Sequence, residues 1–261
     1  MSRIPGAFAR TRAEGRLALI AYLTVGYPTL DATPELVEAA AAAGADAIEL
    51  GIPFSDPLAD GPTIQAASQV ALKGGVSVER ALDTARAARR KTDVPILFMT
   101  YINPILALGV DRFCRAASQA GVDGLIVPDL PAQEADEVKG LAATAGLDLV
   151  FFGAPTSSEA GLEAACRAAT GFVYCIAVTG VTGARGQLDS AVPALIERIR
   201  RHTTLPVVVG FGISKPEHLA ALSGKADGVI VASALLDAIG KAPDDPVGQV
   251  RSFLRGLRSP D

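Results

Sequence analysis

The feature that most constrains this chain is a texture repeated along it. Short apolar, β-branched runs occur at 17–23, 46–51, 94–101, 122–128, 147–152, 171–177, 206–210 and 227–232. Between them lie amphipathic or alanine-rich stretches of helical spacing, near 30–43, 62–73 with 77–91, 111–120, 132–145, 158–169, 189–202, 216–223 and 246–257. Buried strands alternating with helices at this spacing imply parallel pairing, because each helix carries the chain back across the sheet. Eight such units favour closure into a barrel, although an open doubly wound sheet has the same local pattern. The expected fold is α/β, a single (β/α)8 TIM barrel over residues 1–261, with an extra N-terminal helix and a short extra helix opening at Ser233 after the eighth strand. Three helix-to-strand joints are alike: AGAD at 43–46, AGVD at 120–123 and KAD at 225–227. Glycine in the first two suits a left-handed helix cap, and the likeness suggests one βα unit used repeatedly.

A chain of 261 residues, 49% hydrophobic, has enough apolar material for a large core, and barrels of this size remain one domain. A net charge of −4 offers no basic footprint for nucleic acid, so a small-molecule partner fits best. Cys114, Cys166 and Cys175 are odd in number and lack CxxC spacing, which points to reduced thiols in a cytoplasm rather than a disulfide framework or a zinc site. The run from Leu17 to Leu23 follows several arginines but reads as a first strand, being short for a secretion signal and followed by no convincing cleavage site. No run approaches the ~18 apolar residues of a membrane helix.

In the second run, a period of two places Ile48 and Leu50 on one face and Ala47, Glu49 and Gly51 on the other. The aliphatic pair suits the helix layer, so Glu49 is expected to point into the barrel. Desolvation there should raise its pKa toward the range useful for proton transfer, unless it forms a structural ion pair. Residues 51–61 then make a long loop in which Pro53 and Pro57 restrict the backbone, with Pro62 just beyond it. Asp60 in that loop reads equally as a fixed catalytic carboxylate or as a cap on the helix starting near Pro62. Asp56, before Pro57, reads more readily as a turn or cap residue.

Later strands end in glycine-containing or small-residue turns: 180–183, 210–212, and Ala232-Ser233. Each glycine alone reads as a tight turn; together at one end of a barrel they suit a phosphate cradle of free backbone N–H groups. Residues 179–187 fit either a closing lid or a mobile surface loop. The 214–217 stretch reads as a capping box led by Ser214. None of the six lysines falls in a strand, which argues against Schiff-base chemistry, and His202 and His218 fall in helical, exposed stretches unsuited to a metal site.

Residues 48–65, IELGIPFSDPLADGPTIQ, closely resemble the signature of the tryptophan synthase alpha chain family, and the likeness continues through PDLP at 128–131, GVTGAR at 180–185 and GFGIS at 210–214. The resemblance covers nearly the whole chain. It implies a (β/α)8 barrel that cleaves indole-3-glycerol phosphate to indole and glyceraldehyde 3-phosphate by a retro-aldol reaction, with no cofactor of its own and no metal. By motif, Glu49 resembles the general acid/base and Asp60 the carboxylate that steadies charge on the indole N–H. Tyr174 resembles the active-site tyrosine, sharing a face with Phe172 and Ile176, with a buried core tyrosine as the bland reading. Thr182 and Gly183 match the mobile loop, and Phe211, Gly212, Ala232 and Ser233 the phosphate side, with Ala232 departing from the more usual glycine. Tyr22, Met99 and Tyr101 fall where the family lines its indole pocket, and Asp129 where the fourth-strand loop meets the lid. The resemblance further implies a pyridoxal-phosphate beta subunit that receives indole through a tunnel, in an alpha-beta-beta-alpha complex approached by the loops near Asp56 and Asn103, with the isolated chain weakly active. Other readings are a sugar-phosphate isomerase, a free-standing indole-releasing lyase, or a non-catalytic regulatory subunit. Retention of both acids counts against the last.

Overall fold

The computed structural model describes residues 2–176, 191–210 and 212–258. Its strands are β1 (Ala18–Thr24), β2 (Ala47–Gly51), β3 (Ile96–Met99), β4 (Gly124–Ile126), β5 (Asp148–Gly153), β6 (Val173–Ile176), β7 (Val207–Gly210) and β8 (Gly228–Val231). All pair in parallel in sequence order, and β8 closes on β1 with Ala18 opposite Gly228. The open-sheet alternative is thereby excluded. The helices are α1 (Ile4–Ala13), α2 (Thr33–Ala42), α3 (Pro62–Lys73), α4 (Val78–Arg89), α5 (Ile102–Leu108), α6 (Val110–Gln119), α7 (Asp136–Thr144), α8 (Glu159–Ala168), α9 (Ala191–Arg200), α10 (Pro216–Leu222), α11 (Ser233–Lys241) and α12 (Pro246–Arg258). Both expected extras are present, as α1 and α11. Among the described residues no helix is long and apolar enough to cross a membrane.

The three similar joints have a shared physical purpose. Asp46, Asp123 and Asp227 each stand just before a strand and accept the N–H near the start of the preceding one: Leu19 at 3.0 Å, Ile96 at 2.9 Å and Val207 at 2.8 Å. Their charges are met by arginines of α1 and its N-cap beneath the barrel, with Arg10 on Asp46, Arg3 on Asp123 and Arg12 on Asp227. Arg16 and Arg258 add to Asp46, Arg89 to Asp123 and Arg200 to Asp227. Asp46 and Asp123 are buried, so this pairing offsets a desolvation cost that either carboxylate would otherwise carry alone. Gly44 and Gly121 have φ of 95° and 83°, the left-handed caps expected of them.

Several local expectations need correction. The run at 94–101 pairs only over Ile96–Met99, because the chain turns at Tyr101 into α5, a short helix hidden from a reading of periodicity by its length and by Pro104. The stretch 132–145 is two elements, a 3-10 turn at Ala132–Glu134 followed by α7. The cap of α10 is Lys215, in extended conformation and without a side-chain bond, so Ser214 does not lead a capping box. Instead the Ser214 N–H donates to His218 Nδ1 at 3.2 Å, and His218 is buried rather than exposed. His202 lies past the end of α9, beside Glu159 at 3.1 Å.

Candidate active site

Glu49 is the third residue of β2 and is in register with Tyr22 on β1 and Leu97 on β3. Paired residues in a parallel sheet project to the same side, and Glu49 also bears electrostatically on Tyr174 across the barrel on β6. Its carboxyl therefore points inward, as the period of two predicts, and only 1% of the residue is exposed. Burial, and secondarily the charge of Asp60, push its pKa up to about 8. Among the described residues no arginine or lysine pairs with it, and its Oε2 has no hydrogen-bond partner. An acid so placed is protonated near neutrality and poised to give up its proton.

Asp60 ends the 51–61 loop. The cap of α3 is Gly61, in extended conformation with no side-chain bond, so the capping reading of Asp60 fails. Its main chain is what the helix uses: the Asp60 carbonyl accepts Gln65 Nε2 at 2.8 Å, and its N–H donates to the Pro57 carbonyl at 3.3 Å. The side chain is left free of the helix, with Oδ1 buried and without a hydrogen-bond partner among the described residues. Burial raises the Asp60 pKa to about 6, against the opposing effect of the Tyr101 hydroxyl. Asp56, by contrast, is exposed and accepts from its neighbour Ser55 at 2.5 Å, as a turn residue.

Three tyrosines ring the two acids. Burial, with the Asp60 charge next in size, raises the Tyr22 pKa well above that of a free phenol; burial and then Glu49 do the same for Tyr174. Both rings occupy space that only glycine leaves open. A Cβ on Gly51 would collide with the Tyr22 hydroxyl, and one on Gly210 with the Tyr174 ring. Tyr174 stands in a column of rings rising through the barrel, with Phe8–Phe172 at 5.8 Å, Phe172–Tyr174 at 6.5 Å and Tyr174–Phe152 at 5.0 Å. Phe152 was not singled out from the sequence, although it is in register with Tyr174 and the period of two along β5 could have found it. Met99 ends β3 beside Gly51, partly exposed toward the mouth. Tyr101 stacks on Phe54 with ring centroids 5.2 Å apart, and its hydroxyl accepts the Ala59 N–H at 2.9 Å. Asp129 is exposed and accepts the Ile102 N–H at 2.9 Å, so its visible role is to hold the start of α5.

At the same mouth of the barrel, after β7, Gly212 has φ of 70°, a left-handed conformation that favours glycine. Ala232 caps α11 with φ of −121° and ψ of −86°, outside that region, so alanine meets no left-handed strain there. Ser233 and the residue after it begin a helix whose first N–H groups have no intrahelical acceptor, an arrangement suited to an anion. Thr182, Gly183 and Phe211, with the rest of 179–187, lie outside the described residues. Among the described residues no group of three or more His, Cys, Asp or Glu side chains is arranged to hold a metal ion.

The family whose sequence model is described as tryptophan synthase alpha chain matches residues 8–257. A protein of a Roseiflexus species, named tryptophan synthase alpha chain, is 50% identical over 260 residues, covering 99% of this chain and 100% of that one. The protein of the same name from Carboxydothermus hydrogenoformans is 51% identical over 239 residues, covering 92% of this chain and 90% of its own. Among solved structures, Mycobacterium tuberculosis tryptophan synthase superposes with a TM-score of 0.91 at 39% identity, covering 98% of this chain and 96% of that one. Tryptophan synthase subunit alpha from Legionella pneumophila also gives 0.91, at 34% identity, covering 99% and 97%.

Proposed function

The chain belongs to the tryptophan synthase alpha chain family, and on that premise we propose how its residues divide the reaction. It is a lyase that cleaves indole-3-glycerol phosphate to indole and glyceraldehyde 3-phosphate and has a tryptophan synthase beta subunit as partner. In our assignment the protonated Glu49 carboxyl donates its proton to C3 of the indole ring, leaving positive charge on the ring nitrogen. The Asp60 carboxylate accepts the N–H hydrogen bond and stabilises that charge. The carboxylate now at Glu49 takes the proton of the adjacent glycerol hydroxyl. The C–C bond breaks as the aldehyde carbonyl forms, and its electron pair restores the indole. One proton leaves Glu49 and one returns, so the chain is unchanged after a turnover.

A single observation carries this division: two carboxyl groups that feel each other's charge while their pKa values are held apart, about 8 for Glu49 and about 6 for Asp60. Near neutral pH the first is an acid and the second an anion, as the two roles need. We assign Tyr22, Met99, Tyr101 and Tyr174 to the indole pocket, with Asp129 beside it, and Thr182, Gly183, Phe211, Gly212, Ala232 and Ser233 to the glycerol phosphate and the loop over it. The substrate phosphate would lie at the start of α11.

Residues 1–261 are taken as one barrel domain working in the cytoplasm without a cofactor of its own, with pyridoxal phosphate belonging to the beta subunit. The assembly is an alpha-beta-beta-alpha heterotetramer in which the loops near Asp56 and Asn103 face the partner. Support comes from Leu58 and Leu106 beside them, exposed by 92% and 55%, apolar side chains with little reason to meet water in a lone barrel. The test is indole release from indole-3-glycerol phosphate by the purified chain, alone and with a beta subunit added. Slow release that accelerates with the partner is expected; full activity alone would make the chain a free-standing lyase.

A further inference from the structure

Asp60 sits on a loop, and a loop carboxylate must be held if it is to meet a charge that develops only in the transition state. The restraint comes from outside the loop. Tyr101 follows β3 in extended conformation and caps α5, and the first N–H of that helix is fixed by the Asp129 carboxylate at 2.9 Å. From this anchored position its side chain, 3% exposed, meets the loop at two places. The ring stacks on Phe54 near the start of the loop, at 5.2 Å and an interplanar angle of 29°. The hydroxyl accepts the Ala59 N–H at 2.9 Å, one residue before Asp60.

We propose that Tyr101 is a positioning residue as well as a wall of the indole pocket: its ring and hydroxyl pin the 51–61 loop at Phe54 and Ala59 and so hold the Asp60 carboxylate where the indole nitrogen arrives. This rests on the role given to Asp60 above. The Tyr101 hydroxyl also acts on the Asp60 carboxyl, lowering its pKa against the effect of burial. The same group thus fixes the backbone beside the acid and favours its ionised form.

The test compares wild type, Tyr101→Phe and Asp60→Asn in indole release, with hydrogen exchange followed at the Ala59 amide. Phenylalanine keeps the stacking on Phe54 and deletes only the hydroxyl. Tyr101→Phe is expected to melt near the wild-type temperature and to lose kcat by roughly tenfold or more, the scale of a hydrogen bond to a charged group, while KM changes much less. Its acid limb of kcat/KM should move to higher pH, and the Ala59 amide should exchange faster. Wild-type kcat, an unmoved acid limb, or unchanged exchange at Ala59 would each overturn the proposal. If Asp60→Asn itself retained wild-type kcat, the fault would lie with the role of Asp60; if Asp60→Asn were impaired while Tyr101→Phe behaved as wild type, only the positioning would fail.

Discussion

The charge of Asp60 raises the pKa of Glu49, although the two acids belong to different elements, a strand interior and the end of the loop that follows it. Burial contributes more, and the Asp60 charge adds to it. Removing the Asp60 charge by Asp60→Asn should therefore lower the Glu49 pKa below about 8 while leaving it above that of a free carboxyl. Carbon-13 NMR of the Glu49 carboxyl against pH reads this directly. An unmoved midpoint would show that the two acids do not share one field.

Activity should be bell-shaped in pH. Cleavage needs Asp60 ionised and Glu49 protonated, so kcat/KM should rise through about pH 6 and fall through about pH 8. A plateau continuing well above pH 9 would contradict the acid role of Glu49.

The buried acid also costs stability, and the sign follows from linkage. A carboxyl whose pKa is raised on folding binds more protons folded than unfolded between the two values. Its contribution thus becomes less favourable as pH rises from the ordinary 4.5 toward about 8. Glu49→Gln should be more stable than wild type at pH 8, on the order of a few kcal/mol, and nearer parity at pH 5. Thermal melts at the two pH values measure the difference, and a gap that did not widen with pH would contradict the burial of an uncompensated charge.

At the closed end of the barrel the consequences are the reverse. Asp46 is buried and joined by Arg10, Arg16 and Arg258, with Arg16 held in two contacts at 2.6 and 2.9 Å. Asp46→Ala strands those cations and the Leu19 N–H, a loss of about 3–5 kcal/mol by the usual cost of breaking such a cluster. The kcat/KM of the folded fraction should not change, because residues at this end bear on stability rather than chemistry. Chemical denaturation paired with kinetics separates the two.

The surface proposed to face the beta subunit offers a cleaner substitution. Leu58 is 92% exposed, so Leu58→Asp should leave the melting temperature of the chain within a degree or two. Titration with beta subunit should need at least about tenfold more partner for half-maximal stimulation of indole release, since a charge would be buried at an apolar contact.

The barrel was legible in the sequence because its signal is redundant. Each strand run and each intervening helix repeats the same alternation, and an error at one boundary does not disturb the next. Elements with a single weak signal were lost, as with α5, seven residues long and interrupted by Pro104. His218 was misjudged because its burial depends on what packs over α10, and periodicity cannot see the Ser214 N–H that binds it. Glu49 was readable from strand alternation alone. Asp60 was not, since a carboxylate just before a helix looks the same whether or not it caps; only its motif, and then the geometry of Gly61, separated the two. The three aspartates at the barrel floor showed a repeated joint but gave no sign of the arginines that meet them, which come from sequence positions far away.

The central claim is that Glu49 moves the proton at the indole carbon. The direct measurement is indole release from indole-3-glycerol phosphate by wild type and Glu49→Gln, each saturated with beta subunit. Glutamine fills the same space without a titratable proton, and kcat should fall by roughly 100- to 10,000-fold, the range of general acid/base catalysis, with KM little changed. A Glu49→Gln chain that released indole at the wild-type rate would contradict the assignment.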